Sequence, residues 1–349
     1  MKKTFDIWIL LSIVGLSVFS LFNLFGIKST FFLNQLVFFI IGFIFLLVFY
    51  KIGLEFFKLN SQFFYFFSFV LLLITFFVAP EIRGSRRWLN LYFFKYQASE
   101  FLKPFFIIYT ANLLTEEMPK TFSVFNFKKL FFSFLFFLLP AIIIFKQPDL
   151  GNTIVFIAVY LSMLFFAGMA IRYFAYPFLF LFMATPLIWK ILAEYQKNRI
   201  LSFFDPQVDP KGLSYNLIQS IITIGSGGFL GRGLGLGTQS RFSFLPENHT
   251  DFVLASLVEQ FGFIGGLLVI FLYAVIIFRL IKKIFVYQKD SFIFLFLVGV
   301  TMYLIIQIFI NIGMNFGIMP IAGISLPFVS YGGSSTVSTM IMLGLTLAL

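Results

Sequence analysis

The chain contains no cysteine among its 349 residues. Disulfides, iron–sulfur clusters and thiol catalysis are therefore excluded. A single histidine, His249, argues against a zinc site built from imidazoles. Charge is scarce too: ionisable Asp, Glu, Lys and Arg make up 11% of the residues, against 60% hydrophobic ones. The glycine-crowded stretch 225–237 lacks the GK[ST] of a phosphate-binding P-loop. No βαβ unit surrounds it, so it is no dinucleotide fingerprint. Behind Lys2 and Lys3 an apolar run begins without an A-x-A-like cleavage site, and the start reads as an uncleaved first helix. Although the net charge is +11, no soluble basic domain is present, so nucleic acid is not an expected partner. Topological lysines and contacts with anionic membrane lipids account for that charge.

What is present is apolar sequence in runs of roughly 20 residues, the length a spanning helix needs. These runs predict an all-α polytopic membrane protein of about ten helices. The spans fall near 8–26, 31–50, 62–80, 98–114, 130–145, 150–170, 173–193, 252–278, 291–313 and 323–347. Residues 1–349 read as one membrane domain with two long outer loops, 81–97 and 195–250. With the N-terminus inside, the inner loops hold Lys51, Lys58, Lys120, Lys128, Lys129, Arg172, Arg279, Lys282, Lys283 and Lys289. Short outer turns hold only Lys28 and Lys146. Both termini are then cytoplasmic. The chain stops directly after the last span, so a tail-mediated partner is not expected. Its 58 phenylalanines need no special role, because lipid accepts Phe as readily as Leu.

The long outer loops are basic, with Arg83, Arg86, Arg87 and Lys95 in one and Lys197, Arg199, Lys211, Arg232 and Arg241 in the other. Such charge on the outer face suggests an anionic ligand. Loop 81–97 reads either as an interfacial loop or as a phosphate-facing rim. Glu100 and Lys103 share a helix face at i, i+3, as a neutralising pair or as the lining of a cavity. Asp149 follows Pro148 at a helix start, where a cap is favoured. Residues 214–224 have the spacing of an amphipathic helix on the membrane. The glycines after it suggest a flexible loop able to approach a ligand. Ser334, in the run YGGSS, sits among small residues suited to tight helix contact or to a floor for a headgroup.

Polar residues run straight into an apolar helix at 238–262. Asn248 and Asp251 have the spacing of a capping box. Glu259, about two turns deeper, needs a partner or a polar cavity. With Glu247 and His249 these residues suggest a slot open to the outer leaflet. A hydrolytic glycosidase needs two carboxylates. A lipid pyrophosphate leaves as a stabilised anion, so one carboxylate base suffices to deprotonate an attacking hydroxyl. Arginines or a divalent metal can stabilise the departing charge. That chemistry fits a membrane-embedded glycosyltransferase with a polyprenyl-pyrophosphate donor. A transporter could use the same residues for an anionic solute.

The segments RGSRRWLNLYFFKYQASEFLKP, KQPDLGNT, GSGGFLGRGLGLGTQSRFSFLPENHTDFVLA and NIGMNFGIMPIAGISLPFVSYGGSS resemble, in order, those of the SEDS family of bacterial cell-wall proteins, RodA and FtsW. The resemblance implies a peptidoglycan glycosyltransferase that polymerises lipid II at the outer face of the bacterial cytoplasmic membrane. It implies that Asp251 is the essential acid and general base, and that Glu100, Lys103 and Asp149 line a central cavity. The residue readings above add Glu247, His249, Glu259, Arg232, Arg241 and Ser334 to that cavity, with Arg83, Arg86 and Arg87 as pyrophosphate candidates. A divalent cation (Mg or Mn) is compatible; no organic cofactor is expected. The partners implied are lipid II, a lipid-linked glycan and a class B penicillin-binding protein. GTQS, HTDF and NIGM lean toward elongation (RodA) over cell division (FtsW). Two positions depart from the family: Ala98 replaces the proline of QPSE, and Gln260 replaces the second of two paired acids. A lipid II flippase and a non-catalytic scaffold are the alternative readings.

Overall fold

A computed structural model describes residues 5–81, 85–91, 94–115, 127–174 and 213–349, with a few positions between 183 and 203. Arg83, Lys120, Arg199, Lys211 and most of the expected span 173–193 lie outside the described residues.

Asp6 opens α1 (Ile7–Ile27) by accepting the Trp8 N–H at 3.2 Å. Lys28 alone separates α1 from α2 (Ser29–Ile52), in extended backbone conformation. Gly53, at φ +81°, turns the chain into the short α3 (Leu54–Leu59), and α4 (Ser61–Val78) recrosses. The stretch read as a loop before the next span contains an antiparallel hairpin, β1 (Trp88–Leu91) and β2 (Phe94–Gln97), with Trp88 opposite Gln97. It runs directly into α5 (Ala98–Thr115), which starts at Ala98 without a proline there. Helices α6 (Phe127–Lys146) and α7 (Leu150–Phe166) follow. The amphipathic segment forms α8 (Leu213–Gly227), followed by one turn of helix, α9 (Thr238–Arg241). Last come α10 (Val253–Val286), α11 (Ser291–Asn315) and α12 (Gly333–Leu347). The last span was expected from residue 323. It starts ten residues later, because Pro320, Gly323 and Pro327 hold the preceding stretch out of helix.

Five of the described helices are long and apolar enough to cross a membrane, and three shorter ones are also apolar. The protein is a polytopic helical membrane protein. Outward-facing Phe63, Phe77 and Phe271 are largely exposed, as a lipid-facing surface requires. Without a hydrophobic drive between helices in lipid, small residues must let backbones approach. Gly344 does so: a Cβ there would stand 2.5 Å from the Leu46 carbonyl of α2.

The described N-terminal residues and the C-terminal residues both contact the same end of α10. Arg279 Nε lies 2.8 Å from Asp6 Oδ2, Lys283 Nζ donates to Thr346 O at 2.9 Å, and the Tyr287 hydroxyl donates to Leu349 O. Every feature of the candidate site lies at the opposite end of the helices.

α10 is broken at Gly262, whose φ is +71°. A broken helix inside a membrane must find other partners for its freed backbone groups. The glycine-rich loop supplies them. Arg232 N donates to Glu259 O at 2.9 Å and Gly233 N to Gln260 O at 3.1 Å. In return Phe263 N donates to Gly228 O at 2.9 Å. Added Cβ atoms on Gly227 and Gly231 would lie 2.1 Å from Val258 O and 2.2 Å from Gln260 O. These glycines therefore permit close approach to α10, and the flexible-loop expectation gives way to a backbone-paired one.

Candidate active site

Asp251 lies one residue before the Phe252 that caps α10, in a turn that the rest of the molecule grips from three sides. Its main-chain carbonyl accepts the side-chain amides of Asn311 and Asn315 from α11, each at 3.0 Å. The Thr250 carbonyl accepts the Ser330 hydroxyl at 2.6 Å, and the His249 carbonyl accepts the Tyr331 N–H at 2.8 Å. Phe252 offers no side-chain cap, so the capping-box expectation for Asn248 and Asp251 is replaced by this anchoring. Asn248 instead donates to Ser240 O at 2.7 Å. Glu247 takes the left-handed φ of +50°, which carries strain for a non-glycine, and accepts the Thr250 hydroxyl at 3.0 Å. The half-buried Asp251 carboxylate faces Gly323; a Cβ there would stand 3.6 Å from Oδ2. A side chain at 323 would fill the space before that carboxylate.

Glu259 and Asp149 are engaged through their carboxylates. Glu259 is fully buried and accepts from Gln239 N at 2.8 Å, Ser240 N at 3.0 Å and the Ser240 hydroxyl at 2.5 Å. Its side-chain oxygens thus sit on the N-terminal N–H groups of α9. Gln260 accepts Gly235 N at 3.0 Å and donates to Asn23 Oδ1 at 2.7 Å. An ionised carboxylate could accept but not donate, so the amide at 260 is built into the α1–α10 contact. Asp149 caps α7 by accepting Asn152 N at 3.3 Å. It also accepts Gln97 Nε2 at 3.0 Å and lies 3.6 Å from an Arg87 nitrogen. Arg87 further donates to the carbonyls of Gln147, at 2.9 Å, and Pro148. Its guanidinium holds the hairpin to the α6–α7 turn. Ser334 joins the same hairpin, accepting Gln97 N at 3.0 Å and donating to Lys95 O at 2.9 Å. Burial pushes the neighbouring Tyr96 phenol up to about 12, so it stays protonated.

Glu100 and Lys103 form a buried pair at 2.6 Å, with Lys103 also 5.2 Å from the Tyr303 ring centre. Arg232 donates to Ser226 O and Arg241 to Gly235 O, both at 3.0 Å and both exposed. Arg86 makes an exposed ion pair with Glu81 at 3.5 Å. Gln97, Asp149, Ser334, Asp251, His249 and Lys28 therefore ring one end of the helices, while Glu100 and Lys103 lie a turn below. Sequence reading did not single out Asn311, Asn315, Ser330 or Asn23. The only signal was an amide at the i and i+4 positions of an otherwise apolar helix.

A family model for FtsW, RodA and SpoVE, described as a cell cycle protein, matches residues 2–349. The chain belongs to the FtsW/RodA/SpoVE family. The peptidoglycan glycosyltransferase MrdB of Escherichia coli is 33% identical over 286 residues, 82% of this chain and 76% of that protein. Stage V sporulation protein E of Bacillus subtilis is 38% identical over 284 residues, covering 81% and 75%. A chain from a peptidoglycan synthase complex, solved to show how polymerization and crosslinking are coordinated, superposes with a TM-score of 0.85 at 26% identity. That match covers 99% of this chain and 97% of the other. Rod shape determining protein RodA of Thermus thermophilus shares the fold, with a TM-score of 0.74 at 23% identity over the same fractions. Proteins similar to this chain thus share its fold.

Proposed function

We propose that this peptidoglycan glycosyltransferase polymerises lipid II, with Asp251 as general base and a polyprenyl pyrophosphate as leaving group. The acceptor sugar's hydroxyl oxygen attacks the donor's anomeric carbon, and its proton passes to the Asp251 carboxylate. The bond from that carbon to the pyrophosphate oxygen breaks, and its electron pair leaves with the pyrophosphate. One observation carries the assignment. Asp251 is fixed at the rim through its main chain by Asn311 and Asn315, and its half-buried carboxylate faces Gly323. A base held by its backbone keeps its geometry when its carboxylate changes protonation.

Among the described residues no three His, Asp or Glu side chains converge as a metal cage. The arrangement fits a Mg or Mn ion only in the manner of sites completed by substrate phosphates, with Asp251 or Glu247 as the protein's share. Such an ion would neutralise charge on the leaving group. The motifs GTQS, HTDF and NIGM favour elongation over division. The similarity to a chain of a synthase complex favours a class B penicillin-binding protein as partner. We place the protein in the bacterial cytoplasmic membrane with both termini cytoplasmic, which the contacts of Asp6 with Arg279 and Leu349 with Tyr287 support.

The test is polymerisation of purified lipid II, with a divalent cation, by the protein co-purified with its partner. Wild type should yield glycan polymer and a folded Asp251→Asn variant none. Polymer from both would remove Asp251 from the mechanism. Polymer from neither, beside an active partner, would favour transport or scaffolding.

A further inference from the structure

The pyrophosphate needs a cationic site, and the hairpin arginine nearest the rim, Arg87, is committed to Asp149 and two carbonyls. A different site is available. Between the α1–α2 turn and residues 241–249 lies a cavity of about 250 Å³. Lys28 stands on one wall and Arg241 on the other. Among the described residues neither forms an ion pair, and the Arg241 guanidinium donates only to Gly235 O, at 3.0 Å. The Glu247 carboxylate on this wall is drawn to the Thr250 hydroxyl at 3.0 Å. Phe31 forms an apolar side, and the His249 ring stacks on it at 4.3 Å and 9°. His249 is two residues from Asp251, so the cavity wall and the proposed base belong to one turn.

The cavity therefore offers two cations at the membrane edge, an apolar flank continuous with exposed helix surface, and contact with the catalytic turn. A phosphate-bearing lipid headgroup matches that chemistry: oxygens toward Lys28 and Arg241, chain along α1 and α2, where Phe25 and Leu33 are exposed. We infer that this cavity binds the pyrophosphate of a polyprenyl-linked substrate, with Lys28 and Arg241 as its cationic clamp. The inference rests on the lipid II reading above.

The experiment measures binding of a polyprenyl pyrophosphate to the complex in neutral-lipid nanodiscs. Wild type is compared with Lys28→Gln/Arg241→Gln, with Lys28→Arg, and with Lys146→Gln as an outer-turn control. The double variant should bind about tenfold or more weakly, Lys28→Arg should hold most affinity, and Lys146→Gln should match wild type. Unchanged binding by the double variant would overturn the inference. A loss confined to phosphatidylglycerol, titrated in parallel, would also overturn it, by making the site one for bilayer lipid. Failure of the lipid II reading shows separately, as absence of polymer from the wild type.

Discussion

Asn311 and Asn315 each aim an amide at the Asp251 carbonyl, and each has a second duty. Asn311 also donates to Ile324 O at 2.7 Å, while the Asn315 oxygen accepts Ala255 N at 3.1 Å. They are positioning residues: they reach the carboxylate through the backbone that carries it. Removing one amide leaves a buried carbonyl with fewer donors, at a cost of about 1–3 kcal/mol in folding. A displacement of the base on the order of 1 Å slows catalysis by about 10²-fold. Asn311→Ala should therefore lower kcat for lipid II polymerisation by about ten- to a hundredfold with KM little changed. Steady-state kinetics on the purified complex separate this from a structural role, which would lower the thermal midpoint and leave kcat intact. The buried Glu100–Lys103 pair follows another logic. Either charge alone would be uncompensated at membrane depth, so the two stand or fall together.

At the scale of elements, α8 and the glycine loop behave as one brace against the broken α10. Two glycines of α8, two residues apart, face different surroundings. A Cβ on Gly225 would meet nothing within 4 Å, whereas one on Gly227 would strike the Val258 carbonyl at 2.1 Å. Gly225→Ala should be neutral or raise stability by up to about 1 kcal/mol through helix propensity. Gly227→Ala should push α8 off α10 and lower the thermal midpoint of the purified protein by several degrees. Equal midpoints for the two would dissolve the brace. Hydropathy made the helices legible, because a spanning segment carries its signal within its own residues. The amphipathic α8 was legible for the same reason. The hairpin was not, since four-residue strands beside a span carry little pattern of their own. The brace was not either: Asn23 meets Gln260 and Ser256 across more than two hundred residues, and one sequence holds no trace of that pairing. The candidate site was visible as segments, PENHTD and NIGMN among them, while the atoms that join them were not.

The whole molecule divides its charge by end. Connectivity puts Lys51, Lys58, Arg279, Lys282, Lys283 and Lys289 at the end of the molecule where Asp6 and Thr346 meet α10, and Asp251 at the opposite rim. Positive charge near helix ends stays on the cytoplasmic side, so the rim should face outward. An outward rim is required if the product is a wall polymer, because the growing glycan is hydrophilic and must never recross the bilayer. The chain has no cysteine, so every introduced thiol reports alone. Lys146 and Ile318 stand at the rim end and Lys51 and Lys289 at the other, all exposed. In intact spheroplasts a membrane-impermeant maleimide should label Lys146→Cys and Ile318→Cys at once, and Lys51→Cys and Lys289→Cys only after lysis. The reverse pattern would turn Asp251 toward the cytoplasm and remove external polymerisation from the possible functions of this fold. Labelling of Lys146→Cys and Lys289→Cys from the same side would break the alternation of spans on which the rim itself depends.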